Sequence, residues 1–104
     1  MYVISVKQIK IYCNFTCEWV DIPEHEQPYR NLVIQDLCCD EPARVYFSDC
    51  PVNDATWFTT ANDAELTFEA YKKFLTVKDK SHYDWSTLAI RRVDFITEKN
   101  LSLD

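Results

Sequence analysis

Not one of the 104 residues is glycine, and this absence constrains the chain more than any motif it holds. Average usage predicts about seven glycines in a chain of this length. A turn that needs a positive φ must therefore seat a residue with a Cβ, and Asn or Asp does so at the lowest steric cost. Asn31, Asp40, Asn53, Asp54, Asn62 and Asn100 are the candidates for such positions. Phosphate sites cradled by glycine, the Walker loop and the dinucleotide-binding turn, are excluded. Gly, Ala, Arg and Pro, all with GC-rich codons, total only 14 residues, a bias in keeping with an AT-rich genome or a mobile element.

The apolar supply suits a folded chain: 47% hydrophobic residues, with three Trp, six Tyr and six Phe. Disorder requires low hydrophobicity together with high net charge, so it is not expected. The length fits one compact domain, residues 1–104. No apolar run approaches a membrane span of about 18 residues. Met1 to Lys10 alternate with polar positions and lack the apolar stretch of a signal peptide, so a soluble, cytoplasmic protein with no membrane partner is expected. The sequons at Asn14 and Asn100 are then coincidental.

Apolar residues at Ile9, Ile11, Cys13, Phe15, Cys17 and Trp19 recur at every second position, which predicts one long strand with a buried face. Tyr2, Ile4 and Val6 sit on the other parity, so a bulge or bend near Lys7 is expected. Residues 21–31 form a charged loop with two prolines. Leu32–Cys38 and Arg44–Ser48 predict strands on either side of a Glu41-Pro42 turn. A Pro51–Asp54 turn precedes a short strand over Thr56–Thr60. A helix over about 62–76 takes Asn62 as N-cap, with Asp63 and Glu65 in its first turn. Its core stripe is Leu66, Ala70 and Phe74, flanked by Tyr71 and Leu75. Lys78–Trp85 is polar and irregular. Leu88–Thr97 fits a final strand through Val93, Phe95 and Thr97, although Trp85, Leu88, Ala89, Arg92 and Ile96 would also align on a helix. This order predicts an α+β fold: a small antiparallel sheet of four to five strands with one main helix on one face.

Five cysteines, an odd number, do not form a disulfide framework in a chain of this kind. On one strand Cys13 and Cys17 would stand about 13 Å apart, too far to share a zinc ion. Cys38 and Cys39 would point to opposite faces. Buried free thiols acting as small hydrophobes is the simpler reading, and neither metal nor cofactor is expected. His25 lies between Glu24 and Glu26, a surface segment by default, and His82 adjoins Tyr83, Asp84 and Trp85. No local signature supports a Cys–His pair, so no catalytic residue is assigned and an enzyme is not expected.

Charge is strongly polarised along the chain. Glu18 to Glu69 hold twelve carboxylates against Arg30 and Arg44, a balance of −10, whereas the rest holds nine basic and five acidic residues, +4. Glu24, Glu26, Asp36, Asp40, Glu41, Asp49 and Asp54 cluster in expected loops. Acidic loops serve solubility, and Asp favours turns in any case. The sharper alternative is an acidic surface steered to a basic partner, with Tyr29, Trp57, Tyr83 and Trp85 as aromatic anchors. The basic surface of a nucleic-acid-handling protein is the natural target, the carboxylates standing where phosphates would. Direct nucleic-acid binding is disfavoured, because a negative domain gains no counterion release. The expected function is therefore a non-enzymatic inhibitor or immunity-type protein, for example against a bacterial defence complex or a toxic nuclease. A subunit docking through hydrophobic edge strands and a small thiol- or metal-dependent protein are the alternatives.

Overall fold

A computed structural model describes residues 1–35, 43–48, 55–75, 82–92, 94 and 96–103. In chain order the elements are β1 (Tyr2–Gln8), β2 (Lys10–Cys13), β3 (Glu18–Asp21), β4 (Tyr29–Gln35), β5 (Arg44–Ser48), α1 (Ala61–Tyr71), β6 (Tyr83–Arg92) and β7 (Thr97–Asn100). Short 3-10 turns lie at Glu24–Glu26 and Lys72–Phe74. Five strands pair in the order β5-β4-β1-β6-β7, every neighbour antiparallel. With the one main helix this is the expected α+β architecture. Strands β2 and β3 form a separate two-stranded sheet.

The helix is positioned by its burial pattern. Ala64 and Phe68, four apart on one face, pack among Ile4, Val6, Leu32, Val45, Phe47, Leu88 and Ile90 of the sheet. Thr60 is the N-cap: its backbone is extended and its hydroxyl accepts from the Asp63 N–H at 3.1 Å. The expected cap, Asn62, lies inside the helix instead. The expected stripe is likewise displaced, since Leu66 and Ala70 are exposed. The face packed on the sheet is instead the one that carries Ala64 and Phe68. The α-helix ends at Tyr71, short of 76, and Phe74 and Leu75 reach the core from the 3-10 turn and just beyond it.

The sheet is buried on both faces at its centre. Opposite the helix lie Val3, Ser5, Asn31, Val33, Ala89 and Arg91, all buried. The Arg91 guanidinium donates to the Ser5 carbonyl and hydroxyl, each at 2.9 Å, and to the Thr87 carbonyl at 2.7 Å. Its carbon sits 4.3 Å from the Tyr29 ring centroid. Burial holds its pKa below the usual arginine value, and Tyr29 partly opposes that shift. Double-sided burial also explains why alternation fails as a guide here: Val3 to Val6 and Leu88 to Arg91 are buried residue after residue.

That failure corrects several sequence expectations. Ile9 to Trp19 is not one strand. The β1 ladder does shift register between Ser5 and Lys7, as the parity change suggested, but the chain then leaves the sheet and turns at residues 14–17 between β2 and β3. The period of two runs across that turn by coincidence, and none of its six apolar residues is buried. Thr56–Thr60 is not a strand; Phe58 makes an isolated bridge with Tyr2, their backbones exchanging bonds of 2.8 and 2.9 Å. Tyr83 and Trp85 belong to β6 rather than to an irregular segment, and 88–97 divides between β6 and β7. β4 begins at Tyr29, inside the expected loop. The expected turns at Glu41-Pro42 and Pro51–Asp54 lie outside the described residues.

Among the described residues, the positive φ falls on Cys17, at 55°. Asn31, Asn62 and Asn100 lie instead in β4, α1 and β7, while Asp40, Asn53 and Asp54 are outside the described residues. Nor are the two described cysteines buried: Cys13 is half-buried and Cys17 exposed. Cys38, Cys39 and Cys50 are outside the described residues.

Candidate interaction surface

Strands β1 and β4 are neighbours in the large sheet, and the β2–β3 hairpin is the excursion between them. Its base is tied firmly. The Gln8 N–H donates to the Pro28 carbonyl at 3.0 Å, Ile9 N–H to the His82 carbonyl at 2.8 Å, and Ile22 N–H to the Ile9 carbonyl at 2.8 Å. Arg30 Nε donates to Gln8 Oε1 at 2.6 Å, and Gln27 Nε2 to the Ile22 carbonyl at 3.1 Å. Beyond Ile9 the two strands pair, among the described residues, only with each other, Lys10 to Asp21 through Cys13 to Glu18.

The register assigns the side chains of this arm. Ile11 faces Val20 on one side, while Tyr12 faces Trp19 on the other. Tyr12 meets Trp19 edge-on at 5.6 Å, and Trp19 stacks on His82 at 3.7 Å with only 21° between the planes. At the turn, Phe15 is 99% exposed. Ile11, Tyr12, Trp19 and Val20 are also exposed, so apolar groups face outward on both sides and at the tip. Exposed apolar groups gathered on one arm are the kind of feature that marks interaction sites in folded proteins.

A shallow groove of about 390 Å³ runs along the base of the arm between Ile11, Val20, Ile22, Pro23 and Pro28. Carboxylates rim the same region. Glu18 and Asp21 on β3 and Glu24 and Glu26 in the 3-10 turn are exposed, and Asp21 and Glu26 line the groove together with Arg30. Lys10 approaches Asp21 at 4.0 Å and His25 approaches Glu26 at 3.7 Å, contacts too exposed to cancel the acidic field. A smaller recess of about 220 Å³ is lined by Gln8, Ile11, Arg30, Phe47 and Tyr83.

Of the acidic residues singled out in the sequence, Glu24 and Glu26 therefore stand beside the arm. Asp36, Asp40, Glu41, Asp49 and Asp54 are outside the described residues. The aromatic candidates lie elsewhere in the fold. Tyr29 is on β4, over Arg91 and 5.7 Å from the Lys7 ammonium. Trp57 is half-buried, beside the buried Phe58. Tyr83 and Trp85 contact each other at 5.5 Å and Phe47 at 5.7 and 5.8 Å, on the core side of the sheet. The exposed aromatics of the arm, Tyr12, Phe15 and Trp19, escaped the sequence reasoning because the period of two placed Phe15 and Trp19 on a buried face. The signal that could have found them is Asn14-Phe15-Thr16, a polar pair around one aromatic, which is turn chemistry rather than strand.

Among the described residues, no group of three His, Cys, Asp or Glu side chains is gathered to hold a metal ion. The arrangement suits recognition: exposed aromatic surface, a groove, and carboxylates beside it. No helix is long and apolar enough to cross a membrane among the described residues. Compared with protein-family models, with curated proteins and with solved structures, the chain matches none.

Proposed function

We propose that the chain is a non-enzymatic binding protein that presents the β2–β3 arm to an apolar recess with a basic rim on a target protein. Phe15 enters the recess, Trp19, Ile11 and Val20 cover its walls, and Glu18, Asp21, Glu24 and Glu26 meet lysine and arginine around it. A nucleic-acid-handling protein, such as a nuclease or a defence complex, has a working surface of this chemistry, and occluding it is inhibition. Nucleic acid itself is repelled by the same rim.

The observation that supports this most is Phe15, a large apolar side chain held wholly in water at the end of a paired hairpin. Aromatic anchors surrounded by a charged rim are the pattern of interface hot spots. Docking by edge strands is the weaker reading. The outer strands carry charge, Arg44 on β5 and Glu98 and Lys99 on β7, which discourages strand addition.

The test is affinity capture from the cells that encode the protein, with the wild type and the pair Phe15→Ser and Glu18→Lys at low and high salt. The expected result is a basic protein retained by the wild type, weakened about tenfold or more by either substitution and by salt. Capture that is indifferent to both substitutions and to salt contradicts the proposal.

A further inference from the structure

We propose that Cys13 and Cys17 are a reversible dithiol–disulfide pair that closes the turn at the tip of the arm. This is a modification site, and it stands whether or not the arm docks as described above.

The two cysteines bracket one turn. Cys13 ends β2 and pairs with Glu18, and Cys17 is the residue before Glu18. Ladder partners lie about 4.5–5.5 Å apart between Cα atoms, and a disulfide spans roughly 4.4–6.8 Å. Cys17 Sγ donates to the Asn14 carbonyl at 3.8 Å, across the turn towards the Cys13 side. Cys17 itself holds a left-handed backbone, φ 55°. In a chain without glycine, a cysteine holds the one described position where Asn would fit more easily. Cys17 is exposed and Cys13 half-buried, so a small reagent reaches both.

The chemistry assigns the two roles. Hydrogen bonds from Thr16 and Phe15 draw the Cys13 thiol below its ordinary pKa, so Cys13 supplies the attacking thiolate. Glutathione disulfide, the oxidant, loses its S–S bond to that attack; one glutathione departs as thiolate and takes a proton, and Cys13 becomes a mixed disulfide. Cys17, giving its proton to solvent, then attacks the Cys13 sulfur, forms the Cys13–Cys17 bond and expels the second glutathione. Two protein thiols are oxidised by two electrons and one glutathione disulfide is reduced to two thiols. Reduced glutathione in excess reverses both steps. The closed ring would remove the turn's freedom and fix how Phe15, which it encloses, is presented.

Chymotrypsin reads the bond directly, because it cuts after Tyr12, Phe15 and Trp19 and so separates the cysteines. The folded protein is treated with glutathione disulfide, free thiols are alkylated, and the unreduced digest is analysed by mass spectrometry. Peptides 13–15 and 16–19 are expected joined, forming at least about tenfold faster than in the urea-unfolded protein, since the turn holds the reacting groups together. Cys17→Ser should stop the reaction at glutathione on Cys13, and Thr16→Val should slow the first step. Unjoined peptides bearing glutathione or alkyl groups on both cysteines would overturn the proposal. So would equal rates with and without urea.

Discussion

The large sheet and the arm are made of the same chain in the same antiparallel pairing, yet they treat apolar residues in opposite ways. In β1, Val3, Ile4, Ser5 and Val6 are each 0–1% exposed. Two residues past the end of that strand begins the arm, and from Lys10 to Asp21 no residue is buried. The difference lies in what covers the strands. β1 has neighbours on both edges, with the helix residues Ala64 and Phe68 packed on one of its faces. Among the described residues β2 and β3 have only each other, and a lone two-stranded ribbon is marginal in water. Burial therefore holds the sheet together, whereas the arm is held by its base and by the Tyr12–Trp19–His82 contact. Apolar surface that contributes so little to the fold is free to serve recognition.

The comparison can be broken most forcefully from the sheet side. Phe68→Ala empties the centre of the helix–sheet interface and should cost about 3–5 kcal/mol, a large part of the stability of a domain this size. Urea denaturation measures it, and a cost under about 1 kcal/mol would mean that the helix does not hold the sheet. Thr60→Ala removes the helix cap and should cost about 1 kcal/mol in the same experiment. On the arm side, Cys17→Gly relieves a left-handed residue and should stabilise the turn by about 0.5–1 kcal/mol. Hydrogen exchange of the β3 amides that donate to β2 should slow accordingly, with the β1 amides unchanged; faster exchange there would contradict the turn geometry. Smallest of all, Phe15→Ser should move the denaturation midpoint by no more than about 0.5 kcal/mol.

Fold class was legible in the sequence because strand-rich stretches and one helical stretch can be told apart by element type even where their limits cannot. β5 matches its expected limits, Arg44 to Ser48, since a turn signal precedes it and its burial partly alternates. Where burial is two-sided the period disappears, and so β6 could not be delimited from Leu88-Ala89-Ile90-Arg91. The N-cap was misplaced because Asn62 and Thr60 are both good caps, and only the packing of Ala64 and Phe68 chooses between them. For the site, the acids Glu24 and Glu26 were visible as charge. Phe15 was not, because sequence period cannot tell a strand that stays in a sheet from one that leaves it.

The central claim is that contact is made by the arm rather than by the outer face of the helix. A photo-crosslinking benzophenone side chain placed at Phe15, and separately at Leu66, which is 61% exposed on α1, tests this in the cells that encode the protein. The account predicts a covalent adduct to a basic protein from position 15, suppressed by high salt, and none from position 66. An adduct from position 66 with none from position 15 would contradict it.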